Sequence, residues 1–145
     1  MNNEDGIINF YSENDFKLDN TDLYKNWLQR VISSEDKRLG EINYIFCDDE
    51  YLHEINVKYL NHDDYTDIIS FDNAVGNILH GDIFISTERV AENAEKFQVS
   101  FQKELKRVIA HGLLHFCGYK DKTDDEAQLM REKEDEKIKM FHVEQ

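Results

Sequence analysis

Apolar positions recur at two spacings along the chain, and each spacing predicts a different kind of element. Alternating, β-branched and aromatic stretches predict four strands, at residues 7–11, 41–47, 67–71 and 82–86. Apolar residues three and four apart predict five helices, at residues 21–33, from 48 or 49 to about 59, at 87–97, at 101–117 and after 123. Because strands and helices do not alternate strictly, we expect one α+β domain over residues 1–145, with a three- or four-stranded mixed sheet.

Polar side chains mark the predicted helix starts, where their oxygens can accept hydrogen bonds from free backbone amides. The candidate caps are Thr21, Asp48 or Asp49, Ser100 and Thr123. The helix after Thr123 carries an unbroken charged run at residues 132–137, so we expect a solvated face without a catalytic role. Four apolar residues are predicted to hold this helix to the core: Leu129, Met130, Ile138 and Phe141.

Composition limits the location of the protein and the partners that it can bind. No apolar run approaches the length of a membrane span, and the first residues are polar and acidic, unlike an export signal. The two cysteines make no disulfide framework, so we expect a cytoplasmic protein with no membrane partner. A net charge of −14 disfavours non-specific binding to nucleic acid. A polyanionic substrate must therefore be bound by a few cationic side chains at specific positions or by a metal.

One predicted helix, at residues 101–117, carries the candidate chemistry. His111 and His115 are four residues apart beside its apolar face, so both imidazoles can bind one cation at the edge of the core. Gly118 can end the helix and turn the chain so that Asp121 reaches the same cation. Three ligands leave a fourth position for water or substrate, which is typical of a catalytic zinc. The core face of this helix is predicted to consist of Phe101, Leu105, Val108, Ile109, Gly112 and Phe116.

Other residues compete for the third ligand position. Asp124 or Asp125 could reach the cation if the turn after the helix differs. Cys117 is a rival by its chemistry, but the helical wheel points it roughly opposite His115, which favours a small buried side chain.

The residue after the first histidine bears on the class of reaction. In zinc proteases with two histidines on one helix, that residue is a glutamate that serves as general base. Here it is Gly112, which has no side chain. The sequence therefore disfavours peptide hydrolysis, and the base must come from elsewhere or the substrate must supply its own nucleophile.

The run from His111 to Tyr119, His-Gly-Leu-Leu-His-Phe-Cys-Gly-Tyr, resembles the signature of the YbeY family of metal-dependent endoribonucleases. Residues 66–71 and 81–86 resemble two strands of that family, and residues 52–59 resemble its preceding helix. The resemblance covers about residues 41–121. It implies an α+β fold and a divalent metal, expected to be zinc, bound by three residues of this motif. It also implies cleavage of single-stranded RNA, 3′-end maturation of small-subunit ribosomal RNA, a small-subunit partner, and ribosome quality control.

Two positions depart from the family pattern. Asp121 stands where the family usually has a third histidine; a carboxylate can still bind zinc, but it lowers the charge of the centre and can favour manganese. Leu60 stands where the family has a basic arginine that is thought to serve catalysis. Leucine cannot contact phosphate, and Lys58 would need a different backbone path to replace that arginine.

Two interpretations are open for the role of each of several further residues. Lys103 and Arg107 precede His111 at four-residue steps and either guide a phosphodiester to the metal or form a solvated helix face. Thr66 and Asp67 either position a ligand histidine by a hydrogen bond or cap a strand. The remaining histidines have no partner by spacing and are expected at the surface or in turns: His53, His62 and His80.

A metallo-endoribonuclease in ribosome maturation is the leading hypothesis. One alternative is another zinc-dependent hydrolase, such as a peptidase. The other is a non-enzymatic ribosome-associated protein in which the metal braces the fold, a reading that Leu60 and the acidic charge favour.

Overall fold

Alternating apolar residues form a four-stranded mixed sheet in residues 6–141, the part of the chain that the computed structural model describes. Its strands are β1 (Ile7–Ser12), β2 (Arg38–Cys47), β3 (Ile68–Asp72) and β4 (Ile78–Ser86). The spatial order is β1-β2-β4-β3, in which β1 and β4 both run parallel to β2 and β3 runs antiparallel to β4. The predicted α+β class and mixed sheet are confirmed.

Five helices accompany the sheet within these residues. They are α1 (Thr21–Ser34), α2 (Asp49–Leu60), α3 (Thr87–Phe97), α4 (Phe101–Phe116) and α5 (Asp124–Met140). Side-chain caps form at Asp48, Ser100 and Thr123, as predicted, and Thr123 closes a full capping box with Glu126. The predicted cap at Thr21 is wrong, because that residue already lies inside α1. Asn20 precedes it in a left-handed conformation without a capping hydrogen bond. None of the helices in the described range could cross a bilayer.

The sheet separates two apolar clusters because its side chains alternate between its faces. On one face, β2 and β4 pack against α1 and α4 in the larger cluster, where Tyr44 is fully buried and donates a hydrogen bond to the Ile109 carbonyl at 3.0 Å. On the other face, α2 covers a smaller cluster around Leu52 and Ile69. The larger cluster therefore holds α4, the helix with the candidate ligands, against the centre of the sheet.

Gly112 brings α4 very close to the sheet. A β-carbon at this position would lie 3.0 Å from side-chain atoms of both Ile68 and Ile83. The residue after His111 therefore faces the core, where a glutamate could neither fit nor reach solvent. The predicted core face of α4 is confirmed: its members are buried except Phe101, which is half-buried.

The prediction that the charged run at residues 132–137 of α5 is solvated is wrong at two positions. Glu134 is 5% exposed and Lys137 is 1% exposed, whereas Leu129, predicted to anchor the helix, is 46% exposed. The buried charges are tolerated because each is paired: Lys137 donates to the Glu35 carboxylate at 2.8 Å and to the Ser34 hydroxyl at 2.9 Å. The inward face of α5 is therefore partly ionic.

Candidate metal centre

Three side chains converge at the end of α4. The Nε2 atoms of His111 and His115 lie 3.0 Å apart. The Asp121 Oδ2 atom lies 3.1 Å from the first of these nitrogens and 3.4 Å from the second. Zinc bonds of about 2.0–2.1 Å in a tetrahedral site separate neighbouring ligand atoms by about 3.3 Å. The three predicted ligand atoms thus form a triangle of the size that one such ion requires.

Local backbone geometry explains how Asp121 arrives at this place. The two histidines lie one helical turn apart, so their rings project from the same side of α4. The helix ends at Phe116, and Gly118 adopts a left-handed conformation with φ +106°. The Gly118 and Tyr119 amides then donate to the His115 and Leu114 carbonyls. This turn, which the sequence predicted from Gly118, directs the chain back across the histidines.

The other ring nitrogen of each histidine is held by an acceptor. His115 Nδ1 lies 2.9 Å from the Tyr119 backbone carbonyl, and His111 Nδ1 lies 2.6 Å from the Glu134 carboxylate. A carbonyl and a carboxylate accept hydrogen bonds and donate none, so each Nδ1 carries the proton and donates it. In the neutral rings, both Nε2 lone pairs therefore face the Asp121 oxygen.

Three lone pairs that face one another within this distance repel unless a cation or an extra proton lies among them. Two imidazoles and a carboxylate are a ligand set that zinc accepts, and the carboxylate oxygen also suits manganese. The residues present thus fit a divalent metal by number, chemistry and spacing. Within residues 6–141, the side chains that converge closely enough to hold such an ion are His111, His115 and Asp121. The ligand side chains are 21%, 29% and 37% exposed, so the centre is open to solvent on one side.

Charge around His111 favours its protonated form when no metal is present. Burial lowers the pKa of this imidazole, but the hydrogen bond and negative charge of Glu134, with the charge of Asp121, outweigh burial and raise the pKa above its ordinary value of 6.5. Metal binding at His111 Nε2 therefore competes with protonation of the ring, which the two carboxylates favour.

Glu134 is tied to a cation as well as to His111. The Arg107 guanidinium donates to Glu134 at 2.8 Å and to Asp135 at 2.6 Å, and its side chain is 16% exposed. The three charged groups link α4 to α5 beside the ligands. Sequence reasoning missed Glu134 because it lies in the charged run that was assigned to solvent.

A cleft of about 250 Å³ opens next to the ligands. Its wall includes His111, Asp121, Glu134 and two arginines, Arg107 and Arg131. Arg131 is exposed and forms no ion pair with a residue between 6 and 141. The cleft therefore places positive side chains beside the candidate ligand atoms in a protein of strongly negative net charge.

The predicted contacts around the ligands lie in different surroundings. Arg107 lines this cleft, whereas the exposed Lys103 lines neighbouring grooves farther along α4. Thr66 donates its hydroxyl to the Ile68 carbonyl at 3.3 Å, which is a local contact at the start of β3. Burial raises the pKa of the Asp67 carboxyl, and the nearby charge of His111 opposes that effect. The carboxylate that accepts a hydrogen bond from His111 belongs to Glu134.

The rival ligands lie outside the triangle. Cys117 is half-buried against the core, and burial raises the pKa of its thiol to about 11, which disfavours the thiolate that binds metals. Asp124 and Asp125 begin α5, and their side chains are not among the converging groups.

Leu60 ends α2 with 39% of its surface exposed, and Lys58 lies over the Tyr59 ring, 5.4 Å from its centroid.

Two of the histidines without a predicted partner do have one. His53 lies 2.9 Å from the Asp63 carboxylate and stacks on the Tyr65 ring. His80 Nδ1 accepts a hydrogen bond from the Glu41 amide at 3.1 Å. His62 is exposed, as expected. None of these three histidines belongs to the candidate centre.

The chain is similar to known endoribonucleases along almost its whole length. A sequence model described as Endoribonuclease YbeY matches residues 8–142. The Endoribonuclease YbeY of Christiangramia forsetii is 64% identical over 142 residues, which are 98% of this chain and 99% of that protein. The one from Flavobacterium johnsoniae is 68% identical over 139 residues, 96% of this chain and 100% of that protein. The solution structure of TM1509 from Thermotoga maritima has a similar fold, with a TM-score of 0.65, 26% identity and coverage of 93% of this chain and 89% of that one.

Proposed function

Because the chain belongs to the endoribonuclease YbeY family, we propose that it cleaves single-stranded RNA during 3′-end maturation of small-subunit ribosomal RNA and in ribosome quality control. The proposal places it in the cytoplasm with the ribosomal small subunit as partner. The observation that carries it is the coincidence of the family match with three converging ligand atoms on the matched segment.

The proposed cofactor is one divalent metal ion, expected to be zinc, held by His111 Nε2, His115 Nε2 and Asp121 Oδ2. When bound, the ion supplies positive charge to the scissile phosphate or activates a water molecule. The Asp121 carboxylate cancels part of that charge, which makes manganese a reasonable alternative.

Cationic side chains of the cleft would hold the RNA substrate beside the metal. Arg107 and Arg131 line the cleft beside the ligands and would bind phosphate oxygens, and Lys103 would extend that contact along α4. Asp67 is close enough to His111 for their charges to interact, so it is a candidate for orienting the ligand histidines. Because Gly112 offers no carboxylate, the general base is not the one that zinc proteases use.

The test compares metal content and two activities in matched variants. Wild type should contain about one metal per chain and cleave single-stranded RNA, and His115→Ala should lose both properties. His53→Ala is the control, since it removes an imidazole that contacts Asp63 and Tyr65 outside the centre.

Each alternative outcome contradicts the proposal in its own way. Cleavage of a casein-like peptide without cleavage of RNA would identify a peptidase. A chain that binds metal, loses thermal stability in His111→Ala and cleaves neither substrate would be a ribosome-associated protein braced by its metal.

A further inference from the structure

The geometry points to Glu134 as a positioning residue that sets how tightly the centre holds its metal, with Arg107 keeping Glu134 in place. This inference rests on the metal site of the proposed function. Glu134 is 5% exposed, and its carboxylate accepts the His111 Nδ1 proton across 2.6 Å. A buried carboxylate at this distance fixes both the rotation of the ring and the nitrogen that carries its proton.

The two ligand histidines are held by groups of different charge. His115 Nδ1 donates to a neutral carbonyl, whereas His111 Nδ1 donates to a carboxylate. A charged acceptor makes a stronger hydrogen bond and makes the opposite nitrogen a better electron donor. His111 should therefore be the more strongly binding of the two rings, and the charge of Glu134 should be the cause.

Arg107 makes that charge tolerable inside the protein. Its guanidinium spans two carboxylates, with Nη1 bound to Glu134 and Nη2 bound to Asp135. An unpaired carboxylate at the position of Glu134 would be costly, because burial removes its water. Arg107 therefore stabilises the ionised form of Glu134 that His111 needs.

The experiment measures zinc affinity of the full chain by competition with a chelator. Glu134→Gln keeps the size of the side chain and a hydrogen-bond acceptor but removes the charge, and it should weaken zinc binding about 10- to 100-fold. Glu132→Gln is the matched control: it is the same substitution on the same helix, at an exposed residue that bonds to Gln128. Its zinc affinity should equal that of wild type.

Equal zinc affinity in Glu134→Gln and wild type would overturn the inference, and so would equal losses in the two variants. Zinc binding without RNA cleavage in wild type would defeat the proposed function and leave this inference intact.

A second measurement needs no substitution. Nitrogen-15 NMR of the zinc-loaded wild type should find the proton of His111 on Nδ1, with a shift typical of a bond to a carboxylate. A proton on Nε2, or metal bound through Nδ1, would contradict the assignment even if Glu134→Gln failed to fold.

Discussion

At residue scale, the unusual feature is the carboxylate of Asp121 at a position where the resemblance to the YbeY family implies a histidine. Its Oδ2 atom lies 3.1 Å and 3.4 Å from the two histidine nitrogens, so it completes the triangle of candidate ligand atoms despite its different chemistry. The exchange changes the net charge of the centre and leaves the number of ligands unchanged.

Asp121→His should keep metal binding and shift catalysis to lower pH. Three neutral ligands would leave more positive charge on a bound ion than two neutral ligands and a carboxylate, and the pKa of a water molecule on that ion would be lower. The rising limb of the pH–rate profile for RNA cleavage should therefore move to lower pH. Asp121→Ala is the control and should bind metal at least about tenfold more weakly. An unmoved profile in a metal-loaded Asp121→His protein would argue against a metal ligand at this position.

At element scale, the close contact between β4 and the end of α4 determines where His115 lies. A β-carbon at Gly81 would overlap both the Phe116 ring and the Phe71 carbonyl. Phe116 is the last residue of α4 and follows His115 directly. The helix end can therefore occupy its position only while residue 81 has no side chain.

Gly81→Ala should destabilise the fold and weaken the centre together. Overpacking of this kind costs about 1–3 kcal/mol, and moving Phe116 displaces His115 with it. The free energy of unfolding in urea and the zinc affinity should both fall. Gly76→Ala is a useful comparison because the added carbon meets open space there, although its positive φ adds some strain. Normal zinc binding in Gly81→Ala would show that the helix end adjusts without moving the ligand.

Glu35 joins three parts of the chain at the C-terminal end of α1. Its carboxylate accepts hydrogen bonds from Tyr119 at 2.8 Å and from Lys137 at 2.8 Å. Burial raises the pKa of this carboxyl. The two hydrogen bonds and the charge of Lys137 outweigh burial, so the pKa lies below its ordinary value of 4.5. Because the folded pKa is depressed, Glu35 stabilises the fold above its ordinary pKa, and this contribution is lost as pH falls through the folded value.

Glu35→Gln should therefore cost about 1–3 kcal/mol of unfolding free energy near neutral pH. The gap between the variant and wild type should narrow as pH falls below about 4.5. Urea unfolding across this pH range measures both effects. A constant gap at every pH would mean that the contacts of Glu35 do not depend on its charge.

Elements with local signals were predictable from the sequence, and contacts between elements were not. The apolar face of α4 and the spacing of His111 and His115 are both visible within one helix. In α5, the buried residues Met130, Glu134 and Lys137 also have helical core spacing, but two of them are charged. Their burial depends on partners from distant segments, and no pattern in residues 132–137 reveals those partners.

The starts of two strands were missed for a similar reason. Both β2 and β4 begin three or four residues earlier than predicted, where Arg38 pairs with Ile78 and Leu39 pairs with Leu79. Backbone pairing extends these strands beyond the segments that alternate clearly. Pairing of this kind is a property of two strands together, so neither segment predicts it alone.

At the scale of the whole molecule, a net charge of −14 opposes binding of a polyanion. Added salt weakens the few phosphate contacts in the cleft, but it also screens the repulsion between RNA and the rest of the surface. The two effects of salt on binding therefore have opposite signs.

The salt dependence of RNA cleavage should consequently be shallow. Between about 50 mM and about 200 mM salt, the slope of log kcat/KM against log salt should be smaller in magnitude than about 2. Leu60→Arg adds a cation at the end of α2, and it should raise kcat/KM at low salt and steepen the slope by about 0.7. Leu60→Met is the uncharged control. A steep slope in wild type would mean that many more phosphates are contacted than the cleft suggests.

The position of Glu134 on α5 also has a consequence for biosynthesis. The ribosome synthesises His111 and His115 before α5, the helix that carries Glu134. In a nascent chain in which α5 has not yet docked, no carboxylate of α5 orients His111. Tight binding of the proposed ion should therefore require a docked α5, and chains in which α5 has not docked should remain poor zinc binders.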